Sequence, residues 1–152
     1  MTFKEPRSVQ VVIFADEDKG REYLLLKRVE HAGGFWQSVT GSLERDETHL
    51  QAAVREVREE TGIIAAQTDL IDLNLVHTFQ IAPQWLAKYA PGVTHNEEVC
   101  FALRLPAREI NVVLDQIEHV AFKWASYEES VAELRWESSL SAFRAAQALI
   151  PD

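Results

Sequence analysis

Cysteine and methionine occur once each in the 152 residues, and bases are outnumbered by acids, 15 against 24. A single thiol, Cys100, excludes an intrachain disulfide and the small secreted scaffolds that depend on bridges. It equally excludes a zinc centre built from several thiolates. Lying among Val99, Phe101 and Ala102, it reads as an inert thiol of the core. The deficit of Lys and Arg leaves a net charge of −9. Binding to nucleic acid as a polymer depends on neutralising phosphates, so that partner is not expected. Adhesion to an anionic membrane is not expected either. No apolar run approaches the roughly 20 residues of a membrane span. The interrupted apolar stretch near the N-terminus is too short for a signal peptide. A soluble cytoplasmic protein is the expectation.

With 47% apolar and 26% charged residues, the chain is long enough to bury a core of its own. No repeat, low-complexity tract or long linker divides it, so one domain over residues 1–152 is expected. Alternation of Val9, Val11 and Ile13 marks a strand, and the turn residues 16–20 lead to a second strand over 21–29. A short strand follows Gly33-Gly34 and ends at Gly41. Further strands are expected at 70–81, 99–105 and 120–124, with a Pro- and Gly-containing loop over 83–96. Two helices close the chain, at 127–134 and 138–150. This mixture predicts an α/β (α+β) architecture, a mixed β-sheet flanked by helices.

Between residues 48 and 61 the period becomes helical. Leu50, Ala53, Val54 and Val57 form one stripe, Thr48 and Gln51 fit a capping box, and Gly62 stands where a helix ends. Glu56 and Glu60 lie one turn apart on an adjacent arc, with Glu59 within reach. Like charges at this spacing oppose the helix by about 0.2–0.5 kcal/mol per pair. A hard divalent cation with oxygen ligands offsets that repulsion; so, less specifically, would Arg55 and Arg58 on a solvated face.

The wider spacing decides between them. Residues 41–63 read G-x5-E-x7-R-E-U-x-E-E-x-G-U, U being apolar, with Gly41, Glu47, Arg55, Glu56, Glu59, Glu60 and Gly62 in every fixed place. At background frequencies such a match arises on the order of once in 10⁸–10⁹ starts. The segment resembles the signature of the Nudix hydrolases without a gap. That resemblance implies the Nudix fold, a mixed sheet sandwiched between helices. It implies hydrolysis of a diphosphate linked to another group, with Mg²⁺ or Mn²⁺. The implied metal ligands are Glu56 and Glu60, with the backbone carbonyl near Gly41. Glu59 is either a further ligand through water or part of the network that activates the attacking water. Arg55 joins this catalytic group by pairing with Glu47, which fixes the loop against the helix. Which glutamate is the general base stays open.

Three flanking segments resemble one branch of that family, which acts on 7,8-dihydroneopterin triphosphate in folate biosynthesis. They are Trp36 to Ser42, Tyr89 to Asn96, and Glu118 to Trp124. The likeness runs from Lys4 to about Trp136. On it, Glu118 is a further metal carboxylate from outside the helix. Lys4, Arg28 and Thr40 match positions around the substrate, the first two as donors to phosphate. Phe79 and Ile81 fall where the ring pocket is lined, and Trp36 immediately precedes the loop of the motif. Ser138 stands where the branch tends to carry an amide, a departure that shortens this substrate contact. The five histidines show no ligand spacing and none is assigned. The implied partner is a small triphosphate; the oligomeric state is left open. Two alternatives stand beside the pterin substrate: a (deoxy)nucleoside triphosphate, and a ligand-sensing domain without turnover, whose motif would usually be degraded.

Overall fold

The computed structural model describes residues 2–151. Its seven strands and three α-helices run in the order β1 (Arg7–Glu17), β2 (Gly20–Arg28), β3 (Trp36–Gln37), β4 (Val39–Ser42), α1 (His49–Thr61), β5 (Leu70–Gln80), β6 (His95–Leu105), β7 (His119–Ser126), α2 (Tyr127–Glu133) and α3 (Glu137–Gln147). β1 is the hub. It pairs in parallel with β6, Val9 opposite Val99. Its first half pairs antiparallel with β4 and its second half with β2. β2 then carries β3 and β7, while β5 closes the far edge against β6. The sheet is therefore mixed, and β3 and β4 fill the splay where β2 leaves β1.

Alternation of the strands builds a core on each face. On one side Val9, Val11, Ile13, Leu24 and Leu26 pack against Ala52, Ala53 and Val57 of α1. On the other, Val12, Phe14, Tyr23 and Leu25 pack against Ala142, Phe143 and Ala146 of α3. Helices thus cover both faces, the sandwich expected from the motif. Among the described residues no helix is long and apolar enough to cross a membrane.

Two segments depart from the sequence reading. The expected loop over 83–96 contains a 3₁₀ helix, Pro83–Lys88. β6 begins at His95, four residues before the apolar run. Residues 95–98 are polar (His, Asn, Glu, Glu) and so show no apolar alternation, yet they pair residue by residue with 77–80 of β5.

Candidate active site

α1 begins and ends where its local chemistry dictates. The Thr48 hydroxyl accepts from Gln51 N at 3.1 Å, and Gln51 Oε1 accepts from Thr48 N at 2.9 Å. Gly62 ends the helix at φ 79°, a left-handed cap that suits glycine. Within these limits the buried face is Ala52, Ala53, Glu56, Val57, Glu60 and Thr61. The glutamates are thus turned into the protein rather than onto a solvated arc, and only Glu59 of the three is exposed.

Gly41 explains how Glu56 fits there. A Cβ built on Gly41 would fall 2.1 Å from Glu56 Cδ and 2.3 and 2.5 Å from its two oxygens. No side chain larger than hydrogen leaves room for that carboxylate against β4.

Arg55 is the clamp. Its Nε and Nη2 donate to the two Glu47 oxygens, each at 2.8 Å, a fork on a carboxylate. Nη2 also donates to Ser42 O at 2.9 Å, while Nη1 reaches Glu56 Oε1 at 2.8 Å and Glu59 Oε2 at 3.1 Å. Helix, loop and strand are tied by one guanidinium. The fork holds the Glu47 carboxyl below its usual range.

Glu60 lies deepest, 1% exposed. Neither of its oxygens accepts a hydrogen bond, although both are buried. Burial, and then the neighbouring Glu56 carboxylate, push its pKa well above the usual range. Burial also raises Glu56, against the pull of Arg55. An orphaned buried carboxylate is costly, and a cation ligated by oxygen is the chemistry that removes the cost.

From across the splay comes the start of β7. Glu118 Oε2 lies 3.7 Å from Arg28 Nη1. His119, fully buried, brings Nε2 to 3.7 Å from Glu60 Oε1 and to 3.0 Å from Gln37 Nε2. Burial, with Arg28 adding to it, depresses the His119 pKa to about 4, so the ring is neutral at physiological pH. Glu60, Glu118 and His119 place one ligand atom each within 4.8 Å of one another. The sequence reading assigned no histidine. The signal was adjacency to Glu118, since nothing in the spacing of the five histidines marks His119.

The other expected residues lie on or beside β1, β3, β4, β5 and α3. Thr40 lies opposite Gln10 on β1, one residue before Gly41. Trp36, half-buried on β3, lies beneath Lys123 Nζ at 4.4 Å. Phe79 on β5 is 44% exposed, so it is not a core residue, whereas Ile81 just beyond is buried. Lys4 is exposed; its backbone donates to Lys88 O at 2.8 Å, and its Nζ lies 5.8 Å from the Tyr89 ring. Ser138 is half-buried in the first turn of α3. Cys100 is buried in the core as expected, and its thiol also lies near the polar Gln10, His77 and Glu98.

Comparison with known proteins agrees with this geometry. The dihydroneopterin triphosphate diphosphatase of Escherichia coli (strain K12) is 46% identical over 124 residues, covering 80% of this chain and 79% of that protein. The protein of the same name from Haemophilus influenzae is 36% identical over 146 residues, covering 95% and 89%. The solved structure of the E. coli dihydroneopterin triphosphate pyrophosphohydrolase superposes with a TM-score of 0.79 at 39% identity, covering 95% of this chain and 96% of that one. The family profile described as NUDIX domain matches residues 4–146. By its complete motif, its fold and these matches, the chain belongs to the Nudix hydrolases.

Proposed function

We propose that this chain is a one-domain cytoplasmic enzyme that hydrolyses 7,8-dihydroneopterin triphosphate to dihydroneopterin monophosphate and pyrophosphate, using Mg²⁺ or Mn²⁺. The observation that carries the reaction is the orphaned Glu60 carboxylate beside Glu56, with Gly41 giving Glu56 room. The ring assignment is supported by the two relatives that carry that activity in their names.

Glu56, Glu60 and Glu118, with the Gly41 carbonyl, would hold the cation, and Glu59 would reach it through water. When bound, a divalent cation offsets charge on phosphate oxygens and makes a water more acidic. The protein does the rest. Arg55 keeps Glu47, Glu56 and Glu59 in one arrangement. Arg28 and Lys4 donate to phosphate oxygens, Arg28 from beside Glu118. Exposed Glu59 has access to solvent and is suited to take a proton from the attacking water. Water attacks a phosphorus of the α–β bridge, the bridging oxygen leaves with its phosphate, and the proton passes to a carboxylate. Burial raises the pKa of Glu56 and of Glu60, so cation binding, which needs them ionised, competes with protons.

The test is pyrophosphate release by purified protein from dihydroneopterin triphosphate and from each nucleoside triphosphate, with Mg²⁺ and with chelator. Preference for the pterin with a cation requirement is expected. Preference for a nucleotide would defeat the ring assignment and leave the hydrolase standing. No turnover of any triphosphate would favour the sensing alternative.

A further inference from the structure

The sheet face opposite α1 holds a group of polar side chains that the metal centre does not use. Glu98 on β6 is nearly buried, and its Oε1 accepts from Gln10 Nε2 at 3.0 Å. His77 Nδ1 is 3.5 Å from the same oxygen, and the Cys100 thiol 3.8 Å. Ser38 donates to Gln10 Oε1 at 2.9 Å, which fixes the amide so that its nitrogen faces Glu98. Three side chains thus converge on one carboxylate oxygen, with Ser38 behind the first of them. Oε2 receives none of these contacts.

A buried carboxylate without a cationic partner is expensive in a structural core. Here the cost is visible as a pKa raised by burial, which Gln10 and His77 only partly oppose. The site is nonetheless rigid, since Gln10 and Glu98 stand on strands in continuous parallel register. It is not sealed: the His77 side chain is partly exposed, and exposed Phe79 is one strand alternation further along the same face of β5.

Its position relative to the metal centre is fixed by the sheet. Gly41 is opposite Val9, and Val9 is opposite Val99. Two strand spacings, roughly 10 Å, therefore separate Gly41 from the backbone beside Glu98. Alternation turns Gly41 toward Glu56 and turns Thr40, paired with Gln10, toward the Glu98 face. A side chain and a triphosphate span such a distance between a ring and the metal-binding carboxylates.

We infer that Glu98, held by Gln10 and Ser38, reads the 2-amino and ring N–H edge of a 2-amino-4-oxo heterocycle, with Phe79 against the ring face. The inference rests on the pterin reading above and names the residue that enforces it. A carboxylate is the complement of two parallel N–H donors, the arrangement in which Asp or Glu matches an amino-pyrimidinone edge. An adenine offers one amino group beside an acceptor nitrogen, which a carboxylate repels. Glu98 is thus a specificity residue that touches the ring but no reacting phosphorus.

The test separates ring recognition from catalysis by using neopterin, which carries no phosphate. Its binding, followed by its own fluorescence, is measured for the wild type, Glu98→Gln and Glu98→Asp, with calorimetric Mn²⁺ binding at the Glu56–Glu60 centre of the same preparations as the control for folding. A tenfold to hundredfold loss of neopterin affinity in both variants, with Mn²⁺ affinity within twofold of the wild type, is expected. Unchanged neopterin affinity in Glu98→Gln would overturn the inference, and so would a parallel loss of Mn²⁺ affinity, which marks a structural role. Zinc bound in stoichiometric amount by His77, Glu98 and Cys100 would block the edge and overturn it as well. If the pterin assignment itself is wrong, the wild type fails to bind neopterin. GTP and ITP, which differ by the 2-amino group alone, then decide the role of Glu98. A wild-type preference for GTP that Glu98→Gln abolishes sustains it, and equal use of the two by the wild type removes it.

Discussion

Replacing Gly41 by Ala isolates the contact on which the metal centre depends. Gly41 is not among the glycines with positive φ, so its backbone accepts alanine without strain. All of the effect must come from the added methyl. That carbon would stand 2.1 Å from Glu56 Cδ, where carbon atoms normally keep about 3.5–4.0 Å. The carboxylate has to retreat by roughly 1.5 Å, or β4 has to move away from α1. Retreat breaks the 2.8 Å bond from Arg55 and moves a ligand far outside the roughly 0.2 Å tolerance of metal coordination. Movement of β4 costs about 1–3 kcal/mol, the usual cost of overpacking, and displaces the Gly41 carbonyl as well. By either route cation affinity falls by about ten- to hundredfold. Calorimetric titration with Mn²⁺ measures it directly, alongside the Mg²⁺ dependence of pyrophosphate release and a thermal melt in chelator. Gly41→Ala protein that is folded and binds Mn²⁺ within twofold of the wild type would refute the reasoning.

Three other outcomes are expected. Glu60→Gln should abolish cation-dependent release of pyrophosphate. It should also raise the melting temperature in chelator at pH 7.5 by roughly 2–4 °C, as about 1 kcal/mol would. The sign follows from the raised pKa: the contribution of Glu60 is fully present below about pH 4.5 and is lost as pH rises through its folded value, so the gain should vanish near pH 4.5. Arg55→Lys keeps the charge but cannot fork across Glu47 while reaching Ser42 O, so kcat/KM should drop by about ten- to hundredfold and the half-saturating Mg²⁺ should rise. For His119 the shift is opposite, down to about 4, so its contribution is full above about pH 6.5 and is lost as pH falls through 4. The stability difference between the wild type and His119→Gln, from urea midpoints in chelator, should shrink over that window; a constant difference would contradict the assignment of a neutral ring.

Much of this site is legible in the sequence, because α1 is specified locally. Thr48, Gln51 and Gly62 fix its ends, and the spacing of Glu47, Arg55, Glu56 and Glu60 fixes its chemistry. What sequence periodicity could not supply is which way the acids point. The stripe of Leu50 to Val57 suggests that the glutamates flank the buried face; in the fold Glu56 and Glu60 are part of it, because Gly41 leaves space and the opposing β7 brings His119. The start of β6 was hidden for a related reason. His95 to Glu98 lack apolar alternation since their inward side chains, Asn96 and Glu98, meet polar partners rather than a core. Polarity there marks a strand that serves recognition. Nor could spacing show the parallel pairing of β1 with β6, which joins segments separated by the whole motif.

That pairing governs how the protein comes into being. Val9 finds Val99 only after the eighty-nine intervening residues have been made, and Glu97 N then donates to Pro6 O. Contacts so distant in sequence are slow to form, because loop closure must precede any gain from pairing. On the ribosome, β1 and its hairpin partner emerge well before β6 and wait with one edge of β1 uncovered. α1 can coil early, having its own caps, but the sheet beneath it is incomplete until β6 arrives. The acidic centre is therefore assembled late, and until then its carboxylates remain in water, where their charge carries no penalty.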